Sequence, residues 1–292
     1  MIQSLSIVVP NKKCINNCKF CVSKMHSEDY KNQMDENLPF FDLYFRNYMD
    51  RLEYAKEKGV DTVMLTGNSE PQQNRKFLMF FGLMMQMMKP TGFHKIEMQT
   101  TGAGIDQNYL RFMRNHVGVD TISLSISSFD DYINNLIIGT PSNMQIHLRT
   151  LCEEIKKYDF NLRLSINLSN ENFLKTPVHA EDYFETAHNL GADQITFRVL
   201  YTSGKDTEQD KWIEENNIRS EVYQEIEDYV RDKGRKLEVL PFGQVRYSVD
   251  GMSTVIDNDC MSTEAKEDMK YLILQPDCHL YSKWDDKASL VF

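Results

Sequence analysis

Short runs rich in β-branched and apolar residues alternate, over the first 200 positions, with stretches whose apolar residues recur every three or four. Residues 4–9 read as a first strand. Phe41, Tyr44, Phe45, Tyr48, Leu52 and Ala55 then share one helical face, and Gly59 is placed to end that helix. Residues 62–66 are a second strand, and 74–89 a helix apolar over most of its circumference and hence expected to be buried. Residues 95–100 form a third strand, and Asp106 caps the helix after it. A fourth strand spans 121–126. A helix over 143–158 follows, with Met144, Leu148, Leu151 and Ile155 on one side. The fifth strand is 161–168, the helix near 181–190 stops at Gly191, and 194–200 is the sixth strand.

Six strand–helix units in succession predict right-handed crossovers and a parallel sheet. Such sheets present functional groups beyond the carboxyl ends of their strands, so the informative residues are expected just after each strand. After Tyr201 the pattern changes. Residues 202–209 are polar and loop-like, and 221–233 read as a helix. Short β-like pieces follow at 236–240, 245–249, 253–256 and 271–275. The expectation is a core over residues 1–201 and a mixed α/β extension over 202–292. That extension would cover the substrate and lie outside the barrel.

Composition narrows the partners. The 292 residues are 41% hydrophobic, enough for a sizeable core. Lys and Arg number 33 against 43 Asp and Glu, a net charge of −10 that disfavours nucleic acid held on a broad basic surface. No basic and then apolar leader is visible. The longest apolar run, 77–88, is too short to span a bilayer. A cytoplasmic protein with no membrane partner is the expectation.

Three of the six cysteines fall within eight residues, at Cys14, Cys18 and Cys21. In a reducing compartment such a group binds metal or does chemistry more readily than it forms disulfides. Three thiolates on one loop can hold three irons of a cubane and leave the fourth iron open to a cofactor. Zinc competes, but a structural zinc site uses four ligands, usually as two separated pairs, and the second pair is missing; His26 stands nearest. A non-catalytic zinc-binding or Fe–S-binding regulatory protein is therefore the alternative from another class. Cys152, Cys260 and Cys278 are widely spaced and read as free thiols. A second cluster, or hydrogen-atom donation by Cys260 or Cys278, are the other readings. The acidic groups 257–259 and 284–286 read as solvated loops. The aromatics Phe242, Tyr247, Tyr271, Tyr281 and Trp284 read as core, not as a stacking platform.

Cys14-Ile-Asn-Asn-Cys18-Lys-Phe-Cys21, directly after the first strand and with Phe20 before the last cysteine, resembles the signature of the radical S-adenosylmethionine (SAM) superfamily. The resemblance covers about residues 1–200. It is nearest to short-barrel members such as molybdopterin-precursor cyclases, viperin-like enzymes and peptide-modifying enzymes. It implies an α/β fold, a partial (β/α)6 TIM-like barrel. It also implies one [4Fe–4S] cluster on Cys14, Cys18 and Cys21, and SAM on the open iron. Reductive cleavage of SAM to a 5′-deoxyadenosyl radical would lead to hydrogen abstraction, in an oxidoreductase or a lyase. Phe20 would shield the cluster or pack on the adenine. Thr66–Pro71 stands where the family carries a GGE-like motif for the SAM amino group: Gly67 and Glu70-Pro71 match, while Asn68 and Ser69 depart. Glu70, or carbonyls near it, is the expected ammonium acceptor. Thr100-Thr101-Gly102 resembles the TNG-type turn of the family. Ser125 and Asn167 stand where relatives contact the ribose and carboxylate, and Arg198 is placed for a fork on that carboxylate. The implied partners are a small, nucleotide-like molecule or a short peptide, and a flavodoxin- or ferredoxin-type reductant.

Overall fold

Each strand is joined to the next by a helix that permits a crossover, so the first six strands lie parallel and in sequence order. The computed structural model describes residues 2–27, 41–170, 179–240, 243–258, 264–265 and 268–292. The first half contains β1 (Ile2–Val8), a short helix α1 (Val22–Met25), α2 (Phe45–Glu57), β2 (Thr62–Thr66), α3 (Arg75–Met87), β3 (Lys95–Thr100), α4 (Gln107–Phe112), β4 (Thr121–Ile126) and α5 (Asp131–Ile138). Then come α6 (Leu148–Lys157), β5 (Asn161–Leu168), α7 (Ala180–Asn189), β6 (Gln194–Val199), α8 (Glu208–Asn216) and α9 (Ser220–Lys233). The remainder is mostly strand: β7 (Arg235–Val239), β8 (Val245–Val249), β9 (Met252–Asp257), β10 (Glu264–Ala265), β11 (Asp268–Leu274) and β12 (Leu280–Tyr281).

The sheet runs β10-β11-β1-β2-β3-β4-β5-β6-β9-β8-β7 and does not close, so it is a partial barrel. Its two flanks correct one expectation. Residues after Tyr201 do add to the barrel: β11 lies parallel to β1, and β9 parallel to β6. Their residues supply the same extended, half-buried surface as the six core strands. Asp257, expected in a solvated loop, is instead buried at the end of β9. It takes hydrogen bonds from Lys270 Nζ at 3.3 Å and Gln244 Nε2 at 2.7 Å.

Polar and apolar residues mostly alternate along the core strands, with Val8 and Met64 as exceptions. Leu5, Ile7, Val63, Leu65, Ile122, Leu124, Leu162 and Leu164 face the helices in the main hydrophobic core. The intervening Thr62, Glu97, Gln99, Arg163, Gln194 and Arg198 line a cavity of about 600 Å³ inside the barrel. Closed barrels of this type fill their interior with branched apolar side chains; this one keeps a polar lumen. An ion network crosses it. Arg163 donates to buried Glu97 at 2.5 Å, and with two further nitrogens to Gln194 Oε1 at 3.0 and 2.7 Å.

The helices depart from expectation in three places. Helix α3 buries Phe77, Leu78, Phe81 and Met84, yet Met79, Leu83 and Met87 form a stripe 46–59% exposed. The region 143–158 is one turn at Ser142–Met144 followed by α6. Helices α5 and α8 were not anticipated. Asp130 caps the first, and Thr207 with Asp210 forms a capping box on the second. Among the described residues no helix is long and apolar enough to cross a membrane.

Gly82 shows how closely α3 is packed. A Cβ there would stand 2.0 Å from the carbonyl oxygen of His116. In an exposed helix Gly→Ala gains up to about 1 kcal/mol. Here the obstacle is backbone, so Gly82→Ala is expected to cost about 1–3 kcal/mol and to lower the thermal unfolding midpoint by several degrees. An unchanged or raised midpoint would contradict this packing.

Candidate functional site

The cysteine loop leaves the top of β1 and is held on two sides. On one side it lies against the end of α5. Asn17 N–H donates to the carbonyls of Ile138 and Gly139 at 3.0 and 3.3 Å, and Lys19 N–H to that of Ile137 at 3.0 Å. The last carbonyls of a helix lack intrahelical partners, and here the loop supplies them. Gly139 has φ +64°, and a Cβ on it would come within 2.7 Å of Asn17 O, so only glycine allows this approach.

On the other side the loop is tied to the turn after β2. Asn74 Nδ2 donates to Pro10 O at 2.6 Å, Gln73 Nε2 to Lys13 O at 2.9 Å, and Ile15 N–H to Gln73 Oε1 at 3.0 Å. At the centre sits Glu70, 5% exposed. Its Oε1 accepts from Asn16 Nδ2 at 3.0 Å and Thr101 Oγ1 at 2.8 Å. Its Oε2 accepts from Thr100 Oγ1 at 2.5 Å and Gln72 Nε2 at 2.8 Å. The Thr101 N–H lies 3.2 Å from both oxygens. Neutral donors thus surround a carboxylate expected from the sequence to receive an ammonium group. Asn16 and Gln72 escaped the sequence reading because nothing in their spacing marks them, and Thr101 entered it only as part of the Thr100-Thr101-Gly102 turn.

The remaining expected residues fall into separate places. Thr100 belongs to the Glu70 group. Asn167 Nδ2 donates to Ser125 Oγ at 3.1 Å and to Ile126 O at 3.1 Å, so these two meet at the tops of β4 and β5. Arg198 lines the lumen below them. Gly67 approaches Val9, with a would-be Cβ 3.3 Å from its nitrogen, and Asn68 lies 3.5 Å from Ser23 Oγ. Phe20 packs on Trp212 of α8, ring centroids 6.3 Å apart, and on Ile133 and Ile137 of α5. His26, considered as a fourth zinc ligand, is buried beside Tyr201, Lys205 and Asp285.

The three loop thiols are half-buried. Burial pushes the Cys18 thiol well above its ordinary value, with the charge of Cys21 the next cause, and burial also raises Cys14. Metal coordination reverses that preference, because thiolate is the ligand form. Among the described residues no three His, Cys, Asp or Glu side chains converge as on a single ion. A cubane spreads its thiolates over separate irons. The set fits a [4Fe–4S] cluster: three thiolates on one loop, with Asn16 N–H donating to Cys14 Sγ at 3.4 Å. The surroundings also fit SAM. Ser69 Oγ and Asn16 Oδ1 are buried with no hydrogen-bond partner, beside the turn where the amino acid end is expected. Cys152 and Cys278 are buried apart from the loop, and burial raises both to about 12. Cys260, Phe242 and Asp259 lie outside the described residues.

A family model described as the radical SAM superfamily matches residues 8–161, more than half of the chain. No curated protein matches the sequence. Among solved structures, the [FeFe]-hydrogenase maturase HydG is similar at 12% identity and a TM-score of 0.53, over 77% of this chain and 48% of its own. A radical SAM methyltransferase from Sphaerobacter thermophilus aligns at 14% identity and 0.51, over 88% and 66%. Coproporphyrinogen III oxidase from Escherichia coli, a radical SAM enzyme, gives 12% and 0.48 over 80% and 53%. The chain spans about half to two thirds of the length of these structures. At such identity the two scores above 0.5 support the fold, and the third carries no argument.

Two outcomes follow. If Glu70 holds the loop, Glu70→Ala is expected to cut iron content after reconstitution by more than half, with Glu70→Gln intermediate. Full iron with only weakened SAM affinity would instead make Glu70 a cofactor contact. For the outlying thiols, burial raises the pKa, so at pH 8 the unreactive thiol form dominates. Cys152 and Cys278 are expected to resist maleimide in the native chain and to label after unfolding; mass spectrometry reads both states.

Proposed function

The chain belongs to the radical SAM superfamily, and from that premise we propose that it abstracts hydrogen from a small polar substrate bound in the barrel lumen. It is an enzyme of the kind that uses a [4Fe–4S] cluster and SAM. When bound, these supply reductive cleavage of the sulfonium and a carbon radical that abstracts hydrogen. The protein's own work is to bind, orient and exclude water. Cys14, Cys18 and Cys21 would hold the cluster. Glu70, through Asn16 and Thr101, would fix the loop that carries them. Ser69, Ser125, Asn167 and Arg198 would orient SAM, with the Gly67–Asn68 turn admitting its amino acid end and Phe20 closing the outer side.

One observation carries the substrate reading. The polar lumen and a smaller cleft under the cysteine loop share Met64, Gln99, Arg198 and Tyr271 in their walls. A molecule in the lumen would therefore reach the level of the cofactors. The ionic lining favours a polar guest of modest size, because a charged wall left facing an apolar ligand loses hydration without replacement. Residues 202–292 would act as the substrate-covering part: Tyr271, Gln244 and Trp284 already stand in the walls. A low-potential, flavodoxin- or ferredoxin-type carrier would deliver the electron.

Protein reconstituted anaerobically with iron and sulfide, then given dithionite and SAM, is expected to release 5′-deoxyadenosine. The Cys14→Ala/Cys18→Ala/Cys21→Ala variant should release none. A complete cluster whose electron paramagnetic resonance signal does not respond to SAM would sink the reading.

A further inference from the structure

We propose that the substrate enters the lumen through the foot of the barrel, at the end opposite the cofactors; this rests on the lumen being the substrate chamber. Strands β2 to β6 begin with Thr62, Lys95, Thr121, Asn161 and Gln194, and all five line the cavity of about 600 Å³. The cavity therefore extends to the amino ends of the strands. Closed barrels fill their interior with layers of branched apolar side chains, and those layers seal it. Here the lowest layer is polar instead, and Lys95, Asn161 and the adjoining His94 are exposed. Such side chains hold water and do not close a layer by packing. The foot is a wet mouth.

From this mouth a polar track rises toward the cysteine loop. Its inward residues are Lys95, Glu97 and Gln99 on β3, and Gln194, Thr196 and Arg198 on β6. Four residues of strand cover about 13 Å. Gln99 and Arg198 also wall the cleft under the loop, so the track ends where the cofactors would stand. The upper end and the side offer less room. Above stands the cysteine loop, tied both to α5 and to the turn after β2. At the side, where β9 and β11 do not pair, buried Lys270 and Asp257 meet at 3.3 Å and Gln244 joins them. SAM and substrate thus approach from opposite ends, and bound SAM leaves the substrate route open. The route suits a slender polar molecule whose reactive end leads, because polar side chains meet it at each height of the track.

The test places a thiol halfway along the track. Thr196→Cys, in enzyme reconstituted anaerobically with iron and sulfide, is treated with iodoacetamide with and without saturating SAM, and peptide mass spectrometry reads the modified position. Val255→Cys, at the paired position on β9 and in the same wall, repeats the measurement. Alkylation in the native enzyme is expected, at a rate that SAM changes by less than twofold. Adding Lys95→Trp and Asn161→Trp at the mouth should slow it tenfold or more, in protein whose iron content and electron paramagnetic resonance response to SAM match those of the parent. Thiols that stay unmodified at both positions, tenfold protection by SAM, or tryptophans without effect would each overturn the proposal. Failure of the radical reading shows separately, as absence of deoxyadenosine from wild type with dithionite and SAM, and leaves the alkylation rates measurable.

Discussion

Burial of the Glu70 carboxylate under the cysteine loop is the constraint on which the site depends. A charge taken out of water is costly unless its oxygens are met by donors. Here the donors come from three separated segments: Asn16 from the loop, Gln72 from the turn after β2, and Thr100 and Thr101 from the end of β3. The carboxylate is fully met only when all three have arrived together. The position of the thiols relative to the barrel is therefore set by a hydrogen-bond group and not by the thiols themselves. It also gives a purpose to the residues between the cysteines. Asn16 points inward to Glu70, while Asn17 offers its backbone to the end of α5.

The barrel makes the site possible by keeping its two surfaces chemically distinct. The period-two pattern of β1 to β6 sends branched side chains to the helices and Ser, Thr, Asn, Arg and Glu to the lumen. That pattern is visible in the sequence, and the six strands were legible with ends correct to about two residues. Helix α5 was legible too, since Asp130 and Gly139 are ordinary start and stop signals around an apolar run, but the reading passed over them. The parallel placement of β9 and β11 was not legible. Each pairs with a strand distant in sequence, and strand propensity alone does not say which edge a strand will join.

The candidate site divides along the same line. Three thiols in eight residues carry their meaning in their spacing, because one loop must present them to one cluster. Glu70 was singled out by resemblance, yet the partners that define its work lie 2, 30, 31 and 54 residues away. Local sequence holds no trace of such a meeting. Tyr271 and Trp284 teach the converse. Their composition suggests core, and part of each ring does pack as core; the exposed remainder becomes visible only once the lumen has walls.

The C-terminal segment is consequently more than a cover. Its β11 and β9 flank the six core strands, and the opening between these two flanking strands is spanned by side chains. Lys270 and Asp257 reach across it, with 5% and 8% of their side chains exposed. A buried ion pair adds little net stability over apolar packing, but losing one partner leaves a costly unpaired charge. The pair therefore favours one arrangement of the two edges over neighbouring ones. Gln244, just before β8, joins the same carboxylate at 2.7 Å, so the β7–β8 hairpin is held to this arrangement as well. Because Arg198 and Tyr271 stand beside the bridge, the interaction that sets the width of the barrel opening also sets the shape of the chamber beneath the cysteine loop.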